Sequence, residues 1–202
     1  MTGKRFGSSA LKRASGTKPA RQKTILICYD GQKTEQDYFR GWKKALGTKG
    51  AVVSPYFVRS GGNAFDAVKE TKKIQDADDD HEACWCVCDV DDTSEADLAR
   101  AVSLAARSGI NLGLSARCFE VWIALHWEQI STAPILNEAE ARKLVSRHYS
   151  EYTRGPKTVP FSVLYEHTDT AIHNAKWLSV QGHRNPLTGV HVLVEHLKKL
   201  MS

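Results

Sequence analysis

No run of about 18 consecutive apolar residues occurs in this 202-residue chain, so a membrane-spanning helix is not expected. The N-terminus has no apolar core segment, which argues against a secretory signal. A disulfide framework is also missing. There are five cysteines, an odd number, and Cys84, Cys86 and Cys88 alternate along one expected strand, so their side chains share a face. Their i, i+2 spacing matches no common structural zinc site. Small buried apolar side chains explain them better, and reduced thiols place the chain in the cytoplasm. No nucleotide-binding phosphate loop and no internal repeat is present. Residues 1–23 hold no acid at all, while Lys4, Arg5, Lys12, Arg13, Lys18, Arg21 and Lys23 make them strongly basic. The whole chain carries +5, so the remainder is net acidic. This Gly-, Ser- and Lys-rich tail lacks apolar periodicity and is expected to be disordered alone. Two readings of it stand side by side: a phosphate-backbone contact through residues such as Lys12 and Arg13, or a solubilising tail.

What is present is an alternation of apolar runs and helical patterns, expected to form one domain over residues 24–202. Residues 24–29 read as a buried parallel strand ended by Asp30-Gly31. Thr34 is placed to cap the next helix, with Tyr38, Phe39, Trp42 and Leu46 on one face and Gly47 at its exit. Residues 51–58 read as a second strand, followed by Ser60-Gly61-Gly62-Asn63 and a helix. Residues 83–88 form a third strand. Ser94 and Asp97 resemble a capping pair opening a helix through Leu98, Val102 and Ala105, closed by Ser108-Gly109. Residues 110–114 form a fourth strand. The pattern predicts an α/β fold: a four-stranded parallel sheet flanked by helices on both faces. From about residue 117 only helices are expected, over 117–130, 137–150, 162–180 and from Thr188 onward, making an all-helical C-terminal extension.

The acids carry the functional argument. The apolar strand Cys84-Trp85-Cys86-Val87-Cys88 ends in Asp89, Asp91 and Asp92, three carboxylates within four residues. Such a cluster repels itself unless protons or cations neutralise it. Asp30 ends the first strand, and parallel strands point their carboxyl ends the same way, where open α/β sheets place their sites. With neighbouring strands ~4.8 Å apart, Asp30 and Asp89 would lie within bridging reach of one hard, oxygen-seeking cation. Glu35, one turn into the first helix, can face the same crevice.

Four ordered segments resemble the RloB-like proteins: Ile25-Leu-Ile-Cys-Tyr-Asp30-Gly31-Gln-Lys33-Thr34-Glu35-Gln-Asp-Tyr38-Phe39, then Cys86-Val-Cys-Asp89-Val-Asp91-Asp92, then Ser115-Ala-Arg117-Cys118-Phe119-Glu120-Val-Trp122-Ile-Ala-Leu-His126, then Asn185-Pro186-Leu-Thr188. The resemblance implies a Toprim-like fold, similar to the nuclease domain of OLD-family proteins, and a role in anti-phage defence, abortive infection or a restriction-modification-associated system. It also implies an ATPase sensor, which would be a separate chain. The Toprim signature is a glutamate after the first strand and Asp-x-Asp after a later one. Asp89 and Asp91 keep the second element, whereas Asp30 stands where the glutamate is expected. It keeps the charge but is one methylene shorter.

The expected activity is metal-dependent phosphodiester hydrolysis of DNA or RNA, tRNA included. Asp30, Glu35, Asp89, Asp91 and Asp92 would hold Mg²⁺ or Mn²⁺. Glu120 and His126 are candidates to complete the catalytic set. Lys33, Arg117 and the Gly61-Gly62 amides would meet phosphate. Structural roles compete with each: Glu35 as a helix-dipole partner, Glu120 as a partner of Arg117 one turn away, His126 as a core histidine, Asp92 and Gly61-Gly62 as turn residues, Lys33 as a solvated cation. Two other functions fit the sequence. One is a non-catalytic nucleic-acid-binding defence subunit. The other is an aspartyl-phosphate phosphatase, in which Asp89 is the nucleophile and Asp91 the acid/base. A homo-oligomer is compatible with the sequence.

Overall fold

The structure is a computed structural model and describes residues 24–201 except 79, 91, 92 and 155–157. The basic tail, with Lys12 and Arg13, and the metal candidates Asp91 and Asp92 therefore lie outside the described residues. Four parallel strands run in the expected places: β1 (Thr24–Tyr29), β2 (Val52–Phe57), β3 (Ala83–Asp89) and β4 (Ile110–Ala116). The helices between them are α1 (Thr34–Gly47), α2 (Ala64–Ala77) and α3 (Glu95–Ser108). Then follow α4 (Glu120–Ala124), α5 (Glu138–His148), α6 (Glu151–Arg154), α7 (Phe161–Glu166), α8 (Thr168–Val180), β5 (Leu187–Thr188) and α9 (Val190–Lys199).

The sheet order among the described residues is β2-β1-β3-β4-β5. Five strands replace the expected four, and the C-terminal region is not all-helical, because β5 pairs antiparallel with β4 through Ser115–Thr188 and Ala116–Leu187. Two residues are too few to show a period-2 pattern, so the chain gives no local sign of this strand. The hydroxyls of Ser115 and Thr188 are 3.1 Å apart across the pair. At the other edge, β2 contains Pro55, which fits an edge strand because proline cannot donate to a ladder.

Strand residues alternate between two cores. Leu26, Cys28, Cys84, Cys86, Cys88 and Ile110 pack on the face covered by α2 and α3. Ile25, Ile27, Tyr29, Trp85 and Val87 pack on the other face, with α1 and the C-terminal helices. All five cysteines are free and buried, as expected from their apolar strand and loop settings. From β1 the chain moves one way to β2 and then back across to β3 and β4. Crossovers of constant hand then require α1 on one face and α2 and α3 on the other. The direction reverses between β1 and β3, and the loops leaving their carboxyl ends diverge there.

Local signals account for several helix ends. Ser94 Oγ accepts from the Asp97 amide at 3.1 Å and donates to its carboxylate at 3.0 Å, and Gly109 ends α3 in the left-handed conformation. Val102, however, is 47% exposed; Ala101 and Ala105 form the buried stripe instead. Thr34 does not cap α1 but is its first residue. The expected helix over 117–130 is only the five-residue α4, although residues 121–126 are all buried as anticipated. An all-round apolar run has no periodicity to mark where a helix stops. The expected 162–180 helix is divided at His167, where Thr168 Oγ1 donates to the carbonyls of Leu164 (3.3 Å) and Tyr165 (2.9 Å). No described helix is long and apolar enough to cross a membrane.

Candidate functional site

Residues Tyr29 and Val87 are partners in the β1–β3 ladder, so Asp30 and Asp89 leave adjacent parallel strands at the same end. Both line a crevice of about 380 Å³ with Ser60, Arg117 and Cys118. The crevice continues past Gly31 and Asp89 to Glu35, Glu120, Glu138 and Arg142. The sequence-derived candidates Asp30, Glu35, Asp89, Glu120, Lys33, Arg117, Gly61 and Gly62 thus all border one depression at the carboxyl end of the sheet.

Asp30 is held by a short relay. The Gly62 amide donates to Ser60 Oγ at 3.1 Å, and Ser60 Oγ donates to Asp30 Oδ2 at 2.8 Å. Burial raises the Asp30 carboxyl above its ordinary range; Ser60 and the backbone amides of Asp30 and Asp89 pull it back. Gly61 and Gly62 both have positive φ, which suits this tight turn to glycine. Their expected role as a phosphate cradle is narrowed, because the Gly62 amide is engaged by Ser60, the Ala64 amide by Thr93 Oγ1 (2.9 Å) and the Phe65 amide by Asn63 Oδ1 (2.8 Å).

Glu35 is only 7% exposed. Burial first, then the negative charges of Glu120 and Asp30, push its carboxyl up to about 8. Gly31 makes this position possible: a Cβ there would lie 1.9 Å from Glu35 Cδ. Glu120 accepts a 2.6 Å hydrogen bond at Oε1 from the phenol of Tyr152, which is fully buried. That phenol has one proton, so the 3.2 Å contact between Thr34 Oγ1 and Tyr152 Oη has threonine as donor. Glu120 is therefore tied to Tyr152. The Cys118 thiol is raised by burial and by the carboxylates of Glu120 and Asp89, which removes it as a thiolate nucleophile.

One expectation is corrected. His126 does not reach the crevice. It is fully buried, its ring lies 5.0 Å from Trp122 and 6.1 Å from Tyr38, and Nδ1 contacts the carbonyls of Trp122 and Ile123 at 3.1 Å each. It satisfies the open carbonyls at the end of α4, and burial lowers its pKa to about 4. Lys33 lies at the rim, 54% exposed and 3.5 Å from Asp37 Oδ2. Asn185, from the fourth motif, grips the backbone of Ile135, donating at 2.9 Å and accepting at 3.3 Å. This fixes the segment that enters α5 and so places Glu138 and Arg142, which pair with each other at the crevice wall.

Ser60, Gly31, Tyr152, Glu138 and Arg142 were not foreseen as site residues. Ser60 could have been, since it follows the carboxyl end of β2 just as Asp30 follows β1. Among the described residues no group of three His, Cys, Asp or Glu side chains could hold a metal ion. The donor set nonetheless has the right chemistry for a hard cation: carboxylate oxygens only, with Asp30 and Glu35 burdened by desolvation and Glu35 also by like charge.

Residues 25–197 match the family described as RloB-like protein. The chain belongs to the RloB-like family. Its four motifs now have places: β1 into α1, the tip of β3, β4 into α4, and β5 into α9. No curated protein and no solved structure matches this RloB-like chain.

Proposed function

We propose that this RloB-like protein is a divalent-metal-dependent nuclease with a Toprim-like site. The observation that carries the reading is the meeting of Asp30 and Asp89 on adjacent strand tips, with the buried carboxyl of Glu35 beside Asp30 and Glu120. Asp30 and Asp89 would hold Mg²⁺ or Mn²⁺, with Asp91 and Asp92, which follow Asp89 in the sequence, as further candidate ligands. The ion would polarise the phosphodiester and supply hydroxide at neutral pH. Ser60 orients Asp30, and Tyr152 orients Glu120. Glu35, beside Asp30 and Glu120, would exchange a proton with a leaving oxygen. Arg117, in the same crevice, would meet the phosphate. The family resemblance extends the proposal to anti-phage defence in the cytoplasm, beside a separately encoded ATPase.

The test is full-length protein incubated with Mg²⁺ or Mn²⁺ and with single- and double-stranded DNA, RNA and tRNA, next to Asp89→Ala. Metal-dependent cleavage lost on that substitution is expected; cleavage by the variant at the parent rate sinks the proposal. Asp30, one methylene shorter than the glutamate of the Toprim signature, favours a second reading, a non-catalytic nucleic-acid-binding subunit. Binding without cleavage under either metal would select it.

A further inference from the structure

The crevice does not end at the carboxylates. Gln32, Phe57 and Arg59 line it on one side and, on the other, an adjoining recess of about 580 Å³ that Gln36 completes. Phe57 is the last residue of the edge strand β2 and is 37% exposed. Its ring rests against the buried ring of Tyr29, with centroids 6.3 Å apart, so it has a rigid backing and an open side. The side chains of Gln32 and Arg59 are exposed and have no hydrogen-bond or ion-pair partner among the described residues. Gln36 lies beside the Tyr29 phenol and closes the recess wall.

An exposed ring, an unpaired guanidinium and an amide around a small depression are the parts of a nucleobase site. The ring offers a stacking face that tolerates any base. The guanidinium pairs with phosphate or stacks on a base plane, and the amide can bond a base edge. A base inside a duplex is already stacked and paired, and cannot enter without being extruded.

We propose that the Gln32–Phe57–Arg59 recess receives an unpaired base next to the phosphate that a cation on Asp30 and Asp89 would hold, which makes single-stranded nucleic acid the substrate. This rests on the nucleic-acid reading above, but it does not require turnover.

The test uses the full chain with Ca²⁺ in place of Mg²⁺, and short ribo- and deoxyribo-oligonucleotides carrying 2-aminopurine, single-stranded or as duplexes. Anisotropy reports affinity and 2-aminopurine quenching reports stacking. Single strands should bind about tenfold more tightly than duplexes, and Phe57→Ala should remove that advantage and the quenching, while Phe57→Trp keeps both. Arg59→Ala should make the salt dependence of single-strand binding shallower by about 0.7 in slope. The ribo and deoxyribo arms tell which sugar the recess takes. Equal affinity for duplex and single strand, undiminished quenching in Phe57→Ala, or no binding to any oligonucleotide overturns the proposal. Should Phe57→Ala fail to fold, quenching in Phe57→Trp and the Arg59→Ala slope decide it. Cleavage with no strand preference would sink the recess and leave the nuclease; Phe57-dependent binding without cleavage would do the reverse.

Discussion

Glu35 and His126 are both almost fully buried, and their surroundings differ in kind. His126 lies among aromatic rings, with two backbone carbonyls on Nδ1 and burial lowering its pKa to about 4. Glu35 lies over Gly31 with Glu120 and Asp30 as charged neighbours, and burial plus their repulsion raise it to about 8. Both are neutral near pH 7. The cost at His126 can be relieved only by leaving the core. The cost at Glu35 is relieved by any cation that enters the crevice. A buried ionisable group surrounded by its own sign of charge is thus the better pointer to function; one surrounded by rings is a structural fitting.

The sharpest way to break this contrast is a pair of substitutions. Asp30→Ala should reduce metal-dependent cleavage by at least about a thousandfold without lowering the melting temperature, since it relieves a buried carboxylate that Glu35 opposes. His126→Gln should do the opposite: cost about 1–3 kcal/mol of stability through altered packing and bonding, and leave turnover of the folded protein unchanged. Equal losses of turnover in both would erase the distinction.

The same two groups give opposite pH dependences. Glu35 binds its proton more tightly folded (about 8) than at its ordinary value of 4.5, so its contribution to stability is full below pH 4.5 and is lost as pH rises towards 8. His126 binds its proton less tightly folded (about 4 against 6.5), so its contribution is full above pH 6.5 and is lost as pH falls towards 4. Each slope is at most about 1.4 kcal/mol per pH unit. Between pH 4.5 and 6.5 the two slopes oppose each other, so metal-free unfolding should lose stability between about pH 6.5 and 8 in the parent but not in Glu35→Gln. Mn²⁺ should flatten this near-neutral limb. A limb between pH 6.5 and 8 unchanged by Glu35→Gln would contradict the placement of that carboxyl.

The legible and illegible parts of this chain divide along physical lines. β1 and β3 could be read because strands buried on both faces are continuous apolar runs, and their tips stood out because Asp30 and Asp89 interrupt such runs. Ser94, Asp97 and Gly109 could be read because caps act within a few residues. Tyr152 could not, because its partner Thr34 is 118 residues away and its ring sits in a segment with no strong period. β5 was hidden by its two-residue length, and Val102 was misplaced because small alanines, not the valine, form the contact stripe of α3. His126 was drawn towards the site by the motif it follows; only the turn after α4 shows that its ring goes inward.

Finer substitutions separate how Glu35 and Glu120 are held. Gly31→Ala would set a methyl group 1.9 Å from Glu35 Cδ, and the carboxyl must swing away while the backbone remains unstrained. A displacement of this size should lower turnover by about a hundredfold with little change in melting temperature; near-parent turnover would mean that Glu35 does not act where it lies. Tyr152→Phe is gentler. It keeps the buried ring and deletes only the hydroxyl that donates to Glu120 Oε1 and accepts from Thr34. Glu120 then gains freedom without losing its charge, so turnover should fall by about tenfold with KM little changed, and Thr34→Val should reproduce part of the loss because it removes the next donor in the same chain. A Tyr152→Phe variant that melts lower but turns over like the parent would assign the phenol to the core, alongside His126, and leave Glu120 to be positioned by the β4–α4 turn alone.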